Sequence, residues 1–130
     1  MSTVLLDSHV VHWWSAEPDR LSDKAAREIG SADELAVNSI TWFELAWLAR
    51  NDRITLSVPV RSWLAGLAED LRTVVTTPAI ADTAAALPAS FPGDPADRLI
   101  YSTAVESGWR LVTKDRRLRG HRHPRPLTVW

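Results

Sequence analysis

The chain has 130 residues, 45% of them hydrophobic and 24% charged, and its formal net charge is −1. We therefore expect residues 1–130 to form a single globular domain that is not a strongly basic nucleic-acid binder. The absence of cysteine excludes disulfides, thiol catalysis and thiolate metal sites. No apolar run approaches the roughly 20 residues of a membrane span. Asp7 and His9 interrupt what would be the apolar core of a signal peptide, so we expect a cytoplasmic protein with no membrane contact.

Short apolar segments alternate with helical patterns along the whole chain. The predicted strands are Thr3–Leu6, Leu35–Asn38, Thr73–Val75, Trp109–Thr113 and Leu127–Trp130. The predicted helices cover Ser8–Trp14, Ser22–Ile29, a segment around Glu44 that Ser39 or Thr41 caps, a segment from Ser57 and Pro59 to Leu71, Thr77–Leu87 and Asp94–Gly108. Such alternation predicts an α/β layered fold around a central, mostly parallel sheet.

Four carboxylates lie beside segments that should form the core. Asp7 and Asp115 each follow a predicted strand, whereas Glu44 and Asp97 lie near the starts of predicted helices. Strand ends and helix starts of this kind share one edge of a parallel sheet, which is where ligands bind. Buried acids are costly unless they are paired or bind a metal. We therefore expect one acidic pocket that binds Mg²⁺, with Mn²⁺ as a substitute, because both ions favour oxygen ligands.

Each acid also has a purely structural interpretation. Asp7 and Asp115 could cap helices or occupy turns. Asp97 could stabilise its helix by placing a negative charge near the positive end of the helix dipole. Asp94 is better placed as a helix cap than as a ligand, although it could contribute to the site. Glu44 could instead form an ion pair with a basic side chain, and the candidate partners are Arg20, Arg50 and Arg98.

Several other chemistries have no motif in this chain. There is no Gly-x-Ser-x-Gly nucleophile turn and no glycine-rich phosphate loop. His9 and His12 are three residues apart, but they lack further histidine or cysteine ligands at zinc spacing. Metal-assisted hydrolysis of a phosphodiester remains. The neighbouring hydroxyls that could hold waters or phosphate oxygens belong to Ser8, Ser39 and Thr113.

Basic side chains are concentrated near the carboxyl end. They are Lys114, Arg116, Arg117, Arg119, His121, Arg122, His123 and Arg125. Such a stripe could contact a phosphate backbone, or it could be an ordinary solvated surface loop.

The ordered set of acidic motifs resembles the PIN-domain ribonucleases, and in particular the VapC-like toxins of toxin–antitoxin pairs. The motifs that carry this resemblance are Leu5–Trp14, Ser39–Leu45, Gly93–Ala104 and Leu111–Asp115. The resemblance implies a three-layer α/β/α PIN-like domain, with metal-binding acids at Asp7, Glu44, Asp97 and Asp115. It also implies Mg²⁺- or Mn²⁺-dependent endoribonuclease activity on RNA, homodimers and neutralisation by a cognate antitoxin protein.

One position departs from the resembled pattern. Some members carry another acid two residues after the fourth, and this chain has Arg117 there, which leaves the number of metal ions open. Two other functions also remain open: a housekeeping PIN nuclease in RNA maturation, and a non-catalytic PIN scaffold that binds protein or RNA.

Overall fold

A computed structural model describes all 130 residues and contains a five-stranded central sheet. The strands are β1 (Thr3–Leu6), β2 (Glu34–Asn38), β3 (Arg72–Val74), β4 (Arg110–Val112) and β5 (Thr128–Val129). Their order across the sheet is β3-β2-β1-β4-β5, and every neighbouring pair is parallel. The expected mostly parallel sheet is thus confirmed.

Seven α-helices flank this sheet. They are α1 (Ser8–Ala16), α2 (Asp23–Ser31), α3 (Ile40–Arg50), α4 (Val60–Asp70), α5 (Pro78–Ala86), α6 (Pro95–Ser107) and α7 (Arg116–Arg119). A short 3₁₀ helix, Pro18–Arg20, follows α1. Neither this turn nor α7 was predicted from the sequence, because both are too short to show a hydrophobic period. None of the helices is long and apolar enough to cross a membrane.

Alternation along β1 divides the core into two layers. Val4 and Leu6 pack on one side of the sheet, in a cluster with residues of α1 to α4. Leu5 faces the opposite side, where it packs with Ile100 and Tyr101 of α6. Successive side chains of a strand point to opposite faces, so a strand buried on both faces must be apolar throughout. The result is the predicted three-layer α/β/α arrangement.

The carboxyl ends of β1, β2 and β4 lie at one edge of the sheet and form the rim of a pocket. Asp7 directly follows the last residue of β1, and its backbone N–H donates to Val112 O of β4 at 3.1 Å. The amino-terminal ends of α1 and α7 lie at the same edge, because α1 starts two residues after the last residue of β1 and α7 starts four residues after the last residue of β4. The fold thereby brings residues far apart in sequence to one place.

Candidate active site

A pocket of about 520 Å³ opens at this rim, and carboxylates dominate its lining. The ten lining residues are Asp7, His9, Val10, Trp13, Glu44, Asp94, Asp97, Lys114, Asp115 and Arg117. All four acids that the sequence analysis singled out are therefore in one pocket. Asp94 lines it as well, and so do two basic side chains.

Asp7 is fixed by a hydrogen bond to each of its carboxylate oxygens. Ser8 N–H donates to Oδ1 at 2.8 Å, so Asp7 is the amino-terminal cap of α1. Thr113, which is fully buried at the end of β4, donates its hydroxyl to Oδ2 at 2.7 Å. Burial raises the pKa of Asp7, although these two hydrogen bonds act in the opposite direction. The capping interpretation of Asp7 is thus correct, and it does not remove the side chain from the pocket.

Glu44 has a hydroxyl partner and no basic one. Buried Ser8 donates to Glu44 Oε1 at 2.5 Å, and Ser8 Oγ also lies 3.2 Å from Thr41 Oγ1. No arginine forms an ion pair with Glu44 in this structure. Burial raises the pKa of Glu44, and the negative charge of Asp7 adds to the increase. Ser8 therefore connects the two acids, through its backbone to Asp7 and through its side chain to Glu44.

Asp97 shows most clearly that the pocket is electrostatically strained. Burial raises the pKa of Asp97 to about 7, and the negative charges of Asp7, Asp94 and Asp115 contribute further. Arg117 Nη2 lies 3.4 Å from Asp97 Oδ2, which is a long contact to a solvent-exposed base. Repulsion and desolvation therefore outweigh this ion pair.

Asp115 is the exception among the four acids. Its Oδ2 accepts from Arg117 Nη2 at 2.8 Å, and its Oδ1 accepts from Arg117 Nε at 3.2 Å. The backbone N–H of Arg117 also donates to Oδ1, at 2.8 Å, so Asp115 caps α7. The hydrogen bond from the Arg117 side chain lowers the pKa of Asp115. This carboxylate is consequently ionised and already paired.

The start of α3 is fixed by Asn38, a residue whose role the sequence analysis missed. Buried Asn38 accepts from Ile40 N–H at 2.8 Å through Oδ1, and its Nδ2 donates to Thr103 Oγ1 at 2.8 Å. Ser39 occupies the N-cap position of α3, as predicted, but its side chain makes no capping hydrogen bond, and Thr41, the predicted alternative, lies inside the helix. The sequence did contain a signal for this role, namely a polar residue at the end of a buried strand. Asn38 joins β2, α3 and α6, and thereby positions Glu44.

Arg98 has a structural role instead of the suggested pairing with Glu44. Its guanidinium donates to five backbone carbonyls, those of Ala84, Leu87, Pro88, Phe91 and Pro92. These hydrogen bonds fix the segment between α5 and α6. Asp94 then caps α6 by accepting from Ala96 N–H at 2.8 Å, as its predicted capping role requires. Together these contacts set the position of Asp97.

Two of the auxiliary hydroxyls, Ser8 and Thr113, support the acids, whereas Ser39 is not part of the pocket lining. The donor set of the pocket fits Mg²⁺ or Mn²⁺, because it consists of carboxylate oxygens whose repulsion a divalent cation would relieve. The side chains nevertheless form no ready group of three or more His, Asp or Glu around one ion position. Each acid instead points to a neighbouring hydroxyl, N–H or guanidinium, so ion binding requires side-chain rearrangement.

The sequence matches the PIN domain family over residues 4–123. This match covers most of the chain, so the protein belongs to the PIN domain family. The resemblance inferred from the acidic motifs is thus confirmed.

A curated relative is also similar over the whole chain. Ribonuclease VapC22 of Mycobacterium tuberculosis is 72% identical over 130 residues, which are 100% of both proteins. The fold also matches a toxin–antitoxin complex from Klebsiella pneumoniae, with a TM-score of 0.62, 18% identity and 86% coverage of each chain. VapBC2 from Rickettsia felis, solved with a DNA fragment from its promoter, gives a TM-score of 0.64, 16% identity and coverages of 87% and 88%. The two structures support the fold, and VapC22 makes this chain a homologue of a VapC ribonuclease.

Proposed function

We propose that this chain is a Mg²⁺- or Mn²⁺-dependent endoribonuclease that cleaves single-stranded regions of RNA, as the toxin of a toxin–antitoxin pair. The observation that carries the proposal is the convergence of four carboxylates, from four separate segments, in one pocket of a VapC homologue. Single-stranded loops are the expected targets, because their bases are accessible to a protein.

The residues of the pocket suit hydrolysis of a phosphodiester. Asp7, Glu44 and Asp97 would hold the ion, which when bound supplies Lewis-acid activation of water and neutralises charge on the phosphate. Asp115, the fourth acid predicted to bind metal, is paired with Arg117 in the same pocket. Thr113 and Ser8 hold the carboxylates of Asp7 and Glu44 in place through hydrogen bonds.

Two basic side chains lie beside these acids. Lys114 and Arg117 belong to the same pocket lining, where positive charge can attract the RNA backbone. Lys114 Nζ also lies 5.7 Å from the ring centre of Trp13, a cation–π contact that steadies it at the mouth of the pocket. Although the formal net charge of the chain is only −1, the proposed site therefore has both carboxylates to bind an ion and basic side chains to bind a phosphate.

The test is cleavage-site mapping of total RNA after brief expression of the unchanged chain and of two variants. The unchanged chain should produce discrete new ends, and Asp7→Asn should reduce them about 100-fold or more, since loss of even outer partners of a metal costs 10–100-fold. Asp33→Asn is the matched control, because Asp33 pairs with Ser2 at the opposite edge of the sheet. Equal cleavage by Asp7→Asn and the unchanged chain would rule out the proposed role of the pocket.

The same assay separates the two rival functions. A non-catalytic scaffold would produce no new ends in any variant. A maturation nuclease would trim precursors to mature ends without arresting growth, whereas a toxin should stop growth within one expression pulse.

A protein partner has an apolar groove available beside the pocket. This groove of about 310 Å³ is lined by Ser8, His9, Phe43, Glu44, Trp47, Leu48 and Asp94. Phe43 is 65% exposed and Trp47 is 47% exposed, which is unusual for large apolar side chains in a small domain. We propose that an apolar segment of the cognate antitoxin covers these two rings and so blocks access to Glu44.

Co-purification with the product of the adjacent gene tests this surface. Trp47→Glu should abolish the complex, whereas Val58→Glu, on a residue that is 49% exposed outside the groove, should retain it. Loss of the complex in both variants, or in neither, would contradict this docking site.

We also propose that the chain forms a homodimer. Trp47 is 47% exposed, and the other six tryptophans are only partly buried where they pack against the core. Exposed apolar side chains of this kind are typical of an interface. Light scattering should therefore give a mass of twice 14.5 kDa, and a mass of 14.5 kDa at micromolar concentration would contradict the dimer.

A further inference from the structure

Arg117 places a permanent positive charge inside the acidic pocket. Its guanidinium contacts Asp115 through two atoms, Nε at 3.2 Å and Nη2 at 2.8 Å. The same Nη2 lies 3.4 Å from Asp97 Oδ2. Nη1 makes no hydrogen bond within the protein. A guanidinium that contacts a carboxylate through two nitrogens is geometrically matched to it in a way that an ammonium is not.

We propose that the guanidinium of Arg117 supplies to Asp115 the positive charge that a second divalent cation would otherwise bring, so that this protein binds one metal ion per chain. Arg117 takes Asp115 as its ion-pair partner, and the single ion is bound by the remaining acids, Asp7, Glu44 and Asp97. This inference rests on the proposed metal-dependent function and specifies how many ions that function uses.

The charges of the pocket are consistent with one ion. Five carboxylates and two basic side chains line it, a formal excess of three negative charges, which one divalent ion reduces to one. A second divalent ion would reverse the sign and leave the pocket net positive while Arg117 and Lys114 remain. Like charges in close proximity repel, so two ions and the guanidinium of Arg117 would compete for the same oxygens.

The local backbone holds Arg117 near its partner. Asp115 caps α7 by accepting from Arg117 N–H at 2.8 Å, so the two side chains, two residues apart, leave the same tight turn. Thr113 Oγ1 in turn accepts from Asp115 N–H at 3.1 Å, which fixes the start of this turn. The pairing of Arg117 with Asp115 is therefore local and does not depend on RNA or a partner protein.

Arg116 offers a control of the same size, charge and helix. It is exposed on α7 and forms no ion pair with the pocket acids. Arg116→Ala and Arg117→Ala therefore remove the same net charge from the same four-residue helix. Only Arg117→Ala removes a cation from Asp115.

The experiment is calorimetric titration of Mn²⁺ into metal-free protein. We expect one ion per chain for the unchanged protein and for Arg116→Ala, and two for Arg117→Ala. Adding Asp115→Asn to Arg117→Ala should return the number to one, because the freed carboxylate is then absent. Two ions in the unchanged protein, or one in Arg117→Ala, would overturn the inference, and thermal melts would verify that each variant is folded.

RNA cleavage measured on the same samples keeps the two proposals separate. Cleavage by the unchanged protein together with unaltered stoichiometry in Arg117→Ala defeats the role of Arg117 and leaves the nuclease function standing. Absence of cleavage in all samples defeats the nuclease function, while the ion count still decides the role of Arg117.

Discussion

The two ends of the acidic pocket neutralise their carboxylates differently. Asp7 and Glu44 receive hydrogen bonds only from hydroxyls and a backbone N–H. Asp115, by contrast, pairs with the guanidinium of Arg117. Accordingly, burial raises the pKa of Asp7 and of Glu44, whereas the hydrogen bond from Arg117 lowers the pKa of Asp115.

This difference indicates where a cation would be bound most strongly. Hydrogen bonds from Ser8 and Thr113 orient the carboxylates of Asp7 and Glu44 but do not cancel their charge. The repulsion between these two carboxylates therefore persists until a cation binds. Asp97 lies between the two situations, since it contacts Arg117 at 3.4 Å while its pKa is still raised to about 7. The end with Asp7 and Glu44 is therefore the part of the pocket that would gain most from the proposed metal ion.

The largest expected effect concerns Asp97 and pH in the metal-free protein. Its pKa is about 7 in the folded state and 3.8 ordinarily, so the folded chain binds more protons than the unfolded chain between these values. The free energy of unfolding should therefore fall by about 3 kcal/mol as pH rises from 4 to 7. Urea unfolding of Asp97→Asn should show a decrease smaller by about this amount, because Asp7 and Glu44 contribute the rest, whereas Asp82→Asn, on an exposed residue of α5, should retain the full decrease. An identical pH dependence in both variants would show that burial and neighbouring charges do not raise the pKa of Asp97.

The next effect is the response to the ion itself. Mn²⁺ at 100 times its Kd should stabilise the unchanged protein by about 2.7 kcal/mol, which is on the order of 5–10 °C in Tm. Glu44→Gln should remove most of this shift without unfolding the chain, because it deletes a charge that is not paired with a base. Glu34→Gln is the control, since Glu34 pairs with Arg72 outside the pocket. A full shift in Glu44→Gln would exclude Glu44 from the ion site.

A smaller effect should follow from loss of the hydroxyl that supports Asp7. Thr113→Val should lower the free energy of unfolding by about 1–2 kcal/mol, because it leaves buried Asp7 Oδ2 and Asp115 N–H without their partner. Thr83→Val removes a hydrogen bond of 3.1 Å to Glu106 at the surface, and should cost less than about 0.5 kcal/mol. Equal losses in chemical denaturation would mean that the hydroxyl of Thr113 has no special role.

The smallest expected effect separates Ser39 from Asn38. Ser39→Ala should change the free energy of unfolding by less than about 0.5 kcal/mol, because Ser39 makes no capping hydrogen bond. Asn38→Ala should cost about 1–3 kcal/mol, since it removes buried hydrogen bonds to Ile40 N–H and Thr103. Comparable losses in thermal melts of the two variants would contradict the assignment of Asn38 as the residue that fixes α3.

The fold was predictable because its signals are local and repeated. β1 was predicted with its observed bounds, and Ser22, Thr77 and Asp94, at which three of the predicted helices begin, cap α2, α5 and α6. The shared position of the acids followed from a property of parallel sheets, namely that strand ends and helix starts meet at one edge. These predictions required no knowledge of which side chains touch.

Predictions of side-chain contacts failed where the two partners are far apart in the sequence. Asn38, and not Ser39 at the N-cap position, accepts the hydrogen bond at the start of α3, because Thr103, 65 residues away, holds its amide. Arg98 has five carbonyl acceptors that only the folded path of the segment before α6 brings within reach. The contact of Arg117 with Asp97 likewise depends on the approach of α7 to α6. Spacing in the sequence identifies which residues share an edge, but not which pairs form there.

The most direct test of the central claim is an anomalous difference map from crystals of the full chain soaked in Mn²⁺. The account predicts a single peak within the acidic pocket, bounded by Asp7, Glu44 and Asp97, while Arg117 remains paired with Asp115. Absence of any peak in this pocket would contradict the proposed metal site.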